Sequence, residues 1–351
     1  MNYMQPEMPL FTTLDFSKEA VAMSKPTGIL LNSPEQSLLA HHIEHVKAKM
    51  AYQFGDNHDG VIELAALVDG DQAVEVGYYF GDQKAKSIIK ISSQIGCPFR
   101  CNFCNAGQEV FKRNLTAIEM YEQASLMLKI AASQGVPWTP LPHKINFAGT
   151  GEPLLNPHLV ESLELLAEHK MSFKVSTVFP AATTALRTFE RLADFAGGYP
   201  ESLQLQVSLI STDNEFRMHA AGGKLASFYQ IVQAGRIWRD CAPRRNQINL
   251  SLILSDRTPA EAECIWRTFP PDLFRIRFRN YVPTEFGAKN ELSEISVERM
   301  QEIKASFRIH GYDVRDDATP TATEQAYSLA SNVTRRRMMR ELGLPIVFKK
   351  L

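Results

Sequence analysis

The sequence lacks any apolar run long enough to cross a bilayer. Stretches such as INLSLIL fall far short of the roughly 20 residues a membrane helix needs. The opening residues, MNYMQPEMPLFTTLDF, hold no basic segment followed by an apolar one. No signal peptide is therefore expected, and the expected location is the cytoplasm, away from membranes. An excess of either charge is also missing, since 38 Lys and Arg stand against 39 Asp and Glu. No global field draws the chain onto nucleic acid, although a local basic groove remains compatible with that balance. Cysteine is scarce: five in 351 residues, three of them within eight positions. An odd, clustered set is a poor disulfide framework and reads instead as metal or redox chemistry. No internal repeat or low-complexity tract is found.

What is present is an ordinary globular composition, 44% apolar and 22% charged. Residues 35–49 (EQSLLAHHIEHVKAK) carry helical spacing. Between residues 51 and 79, VIELAALV and QAVEVGYYF read as strands separated by turn signals, a small antiparallel lead-in. From Ser87 the pattern alternates. The strands SIIKISS, KINFAG, FKVSTV, LQLQVSLI, INLSLIL and FRIRFRNYV are each followed by a helical stretch. The expected helices cover 116–132, 158–169, 181–194, 225–239, 259–268 and 297–310. Alternation of this kind predicts an α/β fold with a parallel sheet. Six repeats fit a partial (β/α)6 TIM-like barrel, and a doubly wound sheet is the alternative. The expected division is an accessory region 1–80, a core 81–315, and a C-terminal loop and helix 316–351. In barrels the chemistry sits on the loops at the C-terminal strand ends, where the motifs below fall.

The loop SSQIGCPFRCNFCNAG places Cys97, Cys101 and Cys104 in the pattern C-x3-C-x2-C. Thiolates hold iron–sulfur clusters, and three ligands leave one iron of a cubane open to a further ligand. A zinc site ordinarily wants four ligands in paired C-x2-C units, and no second unit exists. The spacing is that of radical S-adenosylmethionine (SAM) proteins, in which the open iron takes SAM. The longer stretch SSQIGCPFRCNFCNAGQEVFKRNLT resembles the RlmN/Cfr group of that superfamily, as does FAGTGEPLLN at 147–156. The likeness continues more weakly through VSTVFP, VSLIS and the sixth strand, over about residues 75–315.

The resemblance implies a [4Fe–4S] cluster on Cys97, Cys101 and Cys104, with SAM as the second cofactor. It also implies an external electron donor of flavodoxin or ferredoxin type. Phe103 would lie against the adenine. Gly149, Thr150, Gly151, Glu152 and Pro153 would approach the methionine end of SAM, with Glu152 accepting from its ammonium. Ser176 and Ser208 end the third and fourth strands and could bond the carboxylate or ribose, although strand-end serines often only cap helices. Asn280 is the candidate SAM contact on the sixth strand. Arg275, Arg277 and Arg279 alternate along that strand and share one face. If that face is interior they could bind an anionic substrate; a solvated or ion-paired face is the commoner explanation.

The group's methylases use two further cysteines, and this sequence has neither. The position seven residues before Cys97 is Lys90, and the C-terminal position aligns with Thr323. A hydroxyl cannot replace a thiolate as methyl acceptor, because its pKa is far too high. Cys241 and Cys264 lie in expected helices away from the loop mouths and read as structural. Direct use of a 5′-deoxyadenosyl radical on a small-molecule or peptide substrate is therefore the favoured expectation. Lys90 and Thr323 would then flank the substrate, Lys90 as anchor or proton donor. The alternatives are an RlmN/Cfr-like methyltransferase without the cysteine carrier, acting on RNA or another acceptor, and a non-catalytic iron–sulfur sensor. Nucleic acid is not the favoured partner. The basic run TRRRMMRE at 334–341 reads as a solvated helix face.

Overall fold

The computed structural model describes residues 38–69, 72–82, 86–136, 143–242, 246–316 and 343. Thr323 and the basic run at 334–341 lie outside the described residues. Strands β1 (Lys47–Phe54), β2 (Val61–Asp69) and β3 (Gln72–Gly81) pair antiparallel and lead into β4 (Lys86–Ile91). A short ribbon of β5 (Gln94–Ile95) and β6 (Arg113–Asn114) brackets the cysteine loop. Then follow β7 (Lys144–Phe147), β8 (Ser172–Thr177), β9 (Leu203–Ile210), β10 (Ile248–Leu254), β11 (Phe274–Asn280) and β12 (Val314–Asp316).

From β4 onward every pairing in the main sheet is parallel, and the order is β4-β7-β8-β9-β10-β11-β12. A doubly wound sheet reverses its strand order at a switch point. Here the order never reverses, so the crossovers progress one way and the sheet curls as an incomplete barrel, with β1 and β12 as its edges. The expected partial barrel is what forms, and β1–β3 extend the same sheet.

The helices are α1 (Ala117–Ser133), α2 (Leu159–Ala167), α3 (Thr183–Gly198), α4 (Asn214–Ala221), α5 (Phe228–Cys241), α6 (Ala262–Trp266), α7 (Glu285–Lys289) and α8 (Val297–Ile309). Thr116 and Glu119 form a capping box that fixes the start of α1. One face of each barrel strand is apolar: Phe173 and Val175, Leu205 and Val207, Leu250 and Leu252, and Ile276 and Phe278 all join the core shared with the helices. The alternate positions are polar and turn to the concave interior: Lys174 and Ser176, Gln204, Gln206 and Ser208, Asn249 and Ser251, then Arg275, Arg277 and Arg279. The arginine row is therefore on the interior face.

Three expectations need correction. The helix over 35–49 does not form beyond Leu38–Ala40, and Lys47 begins β1. Glu122 on α1 draws the backbone N–H groups of Glu44, His45 and Val46 onto its carboxylate at 3.1, 2.7 and 3.0 Å. Three successive amides aimed at one carboxylate cannot also donate to carbonyls four residues back. The helix expected over 259–268 shrinks to the five residues of α6. Finally, α4 and α7 were not foreseen, although Asp213 caps the first and Gly222 closes it in the left-handed conformation.

Candidate cluster and cofactor site

The cysteine loop leaves β5 at the C-terminal mouth of the barrel. Gly96, at φ +71°, turns the chain into it, and a side chain there would strike the Val110 carbonyl. Beyond it the backbone is fixed from two sides. The N–H groups of Arg100 and Asn102 donate to the carbonyls of Ala221 and Ala220 at the end of α4, at 3.0 and 2.8 Å. On the other side Thr284 Oγ1 donates to the Phe103 carbonyl at 3.2 Å, and Asn105 Oδ1 accepts from the Phe286 N–H. The two unforeseen helices thus grip the loop. Cys97, Cys101 and Cys104 all pack on one small apolar cluster with Phe99, Ile210, Ala220 and Leu225, separate from the main core.

Among the described residues, no three His, Cys, Asp or Glu side chains converge on a single ion. A cubane needs a wider set, since each thiolate binds a different iron. Three cysteines on a pinned backbone, facing a water-poor apolar patch, fit that need. Phe103 sits beside them and, with Ile210, Ile253 and Tyr281, lines a narrow cleft at the ends of β9–β11.

The segment Gly149–Pro153 lies against the start of the cysteine loop. Thr150 donates its N–H to Ser92 Oγ at 2.8 Å and accepts from the Ser93 and Gln94 amides. The Glu152 amide donates to Gln94 Oε1 at 2.8 Å. Gly151 has φ +111°, and a Cβ there would meet the Gln94 side chain at 2.6 Å. Gly149 is as tight, since a Cβ there would meet Ser92 Oγ at 2.5 Å, so the two motifs approach at positions that only glycine permits. Glu152 is 3% exposed. Its carboxylate accepts from Thr177 Oγ1, from the Val178 N–H at 2.9 Å and from the Leu154 N–H at 3.2 Å. A carboxylate offers about four lone-pair sites, so one remains for a ligand donor. Burial pushes its pKa up to about 7, against the opposing pull of those bonds. Ser92, Gln94 and Thr177 escaped the sequence reading. Their only signal was membership of the quoted motif stretches.

Ser176 and Ser208 are half-buried on the interior face, and Asn280 is exposed at the end of β11. Ser208 is in register with Ser251, and Ser176 with Gln206. The structure brings the cysteine loop, Phe103 and the Gly149–Pro153 segment together, with both serines on the wall beneath the mouth.

Lys90 lies deeper and only 7% exposed. Its ammonium donates to Glu63 Oε1 at 3.0 Å and to Glu75, and lies over the Tyr79 ring. Tyr79 OH donates to Glu63 at 3.1 Å. Glu63 reaches Lys90 by lying over Gly77, in register between them, where a Cβ would stand 2.7 Å from Glu63 Oε1. Burial pushes the Glu63 pKa up to about 8, opposed by the Lys90 charge, while the two carboxylates hold Lys90 well above its usual value. Glu63 Oε2 is buried without a protein partner. With Glu63 carrying a proton, Lys90 balances one carboxylate.

The raised pKa values of Glu63 and Glu152 set a pH dependence. Between about pH 4.5 and 8 the folded chain holds protons that the unfolded chain releases. Stability from these groups is therefore present below that window and lost as pH rises through it. Thermal melts should show Tm falling by on the order of a few °C from pH 6 to pH 8.5, and Glu63→Gln should flatten the slope. A Tm that rises over the same range would contradict the buried-carboxyl assignment.

Known proteins bear on this site. No family model matches the sequence. The chain is 27% identical over 206 residues to the dual-specificity RNA methyltransferase RlmN of Ruthia magnifica subsp. Calyptogena magnifica, covering 56% of this chain and 53% of that one. It is 47% identical over 87 residues to the probable RlmN of Chlorobaculum tepidum, covering 24% and 22% respectively. A radical SAM methyltransferase from Sphaerobacter thermophilus shares the fold, with TM-score 0.63, 21% identity and 80% of each chain covered. The chain thus resembles the RlmN methyltransferases in sequence and a radical SAM methyltransferase in fold. It spans about half the length of the first relative. The cofactors of a radical SAM protein are a [4Fe–4S] cluster and SAM, and the three-cysteine donor set just described fits the first. Cys241 ends α5 against the main core, and Cys264 is exposed on α6. Among the described residues, no helix is long and apolar enough to cross a membrane.

Proposed function

We propose that this chain cleaves SAM reductively and uses the radical produced to take a hydrogen atom from a small-molecule or peptide substrate. Bound together, the cluster and SAM supply one-electron scission of a C–S bond, giving methionine and a 5′-deoxyadenosyl radical. The protein's own part is positional. Cys97, Cys101 and Cys104 would hold three irons. Glu152 would accept from the methionine ammonium, Phe103 would cover the adenine, and Ser176, Ser208 and Asn280 would bond the polar groups along the mouth. The electron would come from a flavodoxin or ferredoxin type of donor. Lys90 and Thr323 would flank the substrate.

One observation carries the choice of direct hydrogen abstraction. Where the RlmN/Cfr group has a cysteine, this chain has a buried lysine paired with Glu63 and Glu75. An ammonium so held has no lone pair with which to resolve a covalent methyl-transfer intermediate. A methyltransferase without the cysteine carrier is the second reading, favoured by the 47% identity to a probable RlmN over 87 residues. Anaerobic incubation of reconstituted protein with SAM and dithionite separates them. The proposal expects 5′-deoxyadenosine and methionine in equal amounts. S-adenosylhomocysteine as the main product would overturn it.

A further inference from the structure

Phe179 is fully buried and holds a left-handed backbone, φ +58°. That conformation is strained for a bulky residue and persists only where its surroundings impose it. Here they do. The Phe179 carbonyl accepts from the Ala226 N–H at 2.8 Å, and the Ala181 N–H donates to the Lys224 carbonyl at 3.1 Å. The ring packs on Phe189, centroids 5.4 Å apart. Arg217 of α4, 0% exposed, donates to the carbonyls of Ala226 at 2.8 Å and Val178 at 3.4 Å. The chain leaving β8 is thus bent and clamped over Thr177, Val178 and Phe179.

The bend gathers donors round the Glu152 carboxylate. The Phe179 N–H turns back onto Thr177 Oγ1 at 2.8 Å. An ionised carboxylate can only accept, so the Thr177 hydroxyl takes that N–H on a lone pair and gives its own proton to Glu152 Oε1. Oε1 also accepts from the Leu154 N–H, whereas Oε2 accepts only from the Val178 N–H. The open lone pair is therefore on Oε2. Burial works against the charge on Glu152, and no charged side chain among the described residues offsets it; these three donors do. Arg217 stands one peptide away, on the Val178 carbonyl. Two of the donors are backbone amides that any residue supplies. Thr177 is the one side chain among them. It is 2% exposed and shares the core face of β8 with Phe173 and Val175, so it acts through Glu152.

We propose that Thr177 is a positioning residue, its hydroxyl holding the Glu152 carboxylate in the rotation that leaves Oε2 open to the methionine amino group of SAM. The inference rests on the reading of Glu152 as a SAM contact. The same hydroxyl favours the ionised carboxylate, because it donates to lone pairs that protonation would consume. Without it Glu152 would keep its proton to higher pH and offer a donor where the amino group needs an acceptor.

The test is anaerobic calorimetric titration of the reconstituted full-length protein with SAM from pH 6.5 to 8.5. Thr177→Val keeps the shape and removes the hydroxyl. It should weaken SAM binding about 10-fold at pH 6.5, as fits the loss of a hydrogen bond to a charged group. The deficit should shrink toward pH 8.5, where Glu152 is largely ionised in both proteins. Comparing variant with wild type at each pH cancels the titration of SAM itself. A merely structural role would weaken binding by one factor at every pH. Thr177→Ser restores the hydroxyl and should follow wild type throughout. Circular dichroism and iron content confirm fold and cluster, and Thr177→Ala replaces the valine variant if that one does not fold. A second readout uses the cofactor-free protein. Infrared difference spectra, each protein against its own Glu152→Gln partner, should show Glu152 ionising near pH 7 in wild type and higher without the hydroxyl. Wild-type affinity without the hydroxyl, a deficit independent of pH, a serine variant that fails to recover, or an unmoved infrared midpoint would each overturn the proposal. A wild type that binds no SAM, with an electron paramagnetic resonance (EPR) signal of the reduced cluster indifferent to it, would instead overturn the radical SAM reading beneath it.

Discussion

Replacing Lys90 with Met should lower stability by about 3–5 kcal/mol, the cost of removing one partner from a buried ion pair. The reason is local. Glu63 and Glu75 are 1% and 4% exposed, and Lys90 is the cation both of them contact. Without it two carboxyl groups face each other in a medium that solvates neither. The folded chain's remedy is to bind a second proton, so the variant should lose more stability at pH 8 than at pH 6. Adding Glu75→Gln to Lys90→Met should recover much of the loss, because it removes the like charge and leaves a neutral hydrogen-bonding pair. Thermal melts of the single and double variants check this. A Lys90→Met protein with an unchanged Tm, or a double variant worse than the single, would show that the cluster does not carry the energy assigned to it.

Replacing Cys101 with Ser should abolish the iron site with little harm to the fold. A serine hydroxyl stays protonated where a cysteine thiol ionises, so it makes a poor ligand. Reconstituted wild type should hold about four irons per chain, and Cys101→Ser roughly one or fewer. SAM cleavage should drop to background. The loop itself should persist, because its backbone is held by Ala220, Ala221, Thr284 and Phe286, none of which needs the metal. Cys241→Ser and Cys264→Ser are the controls. Both residues lie on helices outside the loop, and both variants should keep full iron and full cleavage. Iron retained by Cys101→Ser but lost by Cys264→Ser would place the cluster elsewhere.

Much of this molecule was legible in the chain because its signals are local. Strand period, caps such as Thr116 with Glu119, and tight motif spacing are written in neighbouring residues. The failures share a different cause. The helical spacing of residues 35–49 is genuine, but Glu122, more than seventy residues away in sequence, captures the amides that the helix would need. Lys90 was read by its place before the cysteines. Its environment comes from Glu63 and Glu75 on two other strands, which only the register of β2, β3 and β4 reveals. The arginine row was recognised as sharing a face. Which face it shares depends on the helices packing against Ile276 and Phe278. α4 was missed despite an aspartate cap and a closing glycine, because its eight residues were absorbed into the approach to α5.

The central claim is that the three cysteines hold a cluster with one iron open to SAM. EPR of the dithionite-reduced protein, recorded before and after SAM is added, tests it most directly. A ligand on the open iron changes the electronic symmetry of the whole cluster. The account predicts a [4Fe–4S]+ signal whose g-values shift on adding SAM and do not shift on adding methionine alone. A cluster signal indifferent to SAM, or no cluster signal after reconstitution, would contradict it.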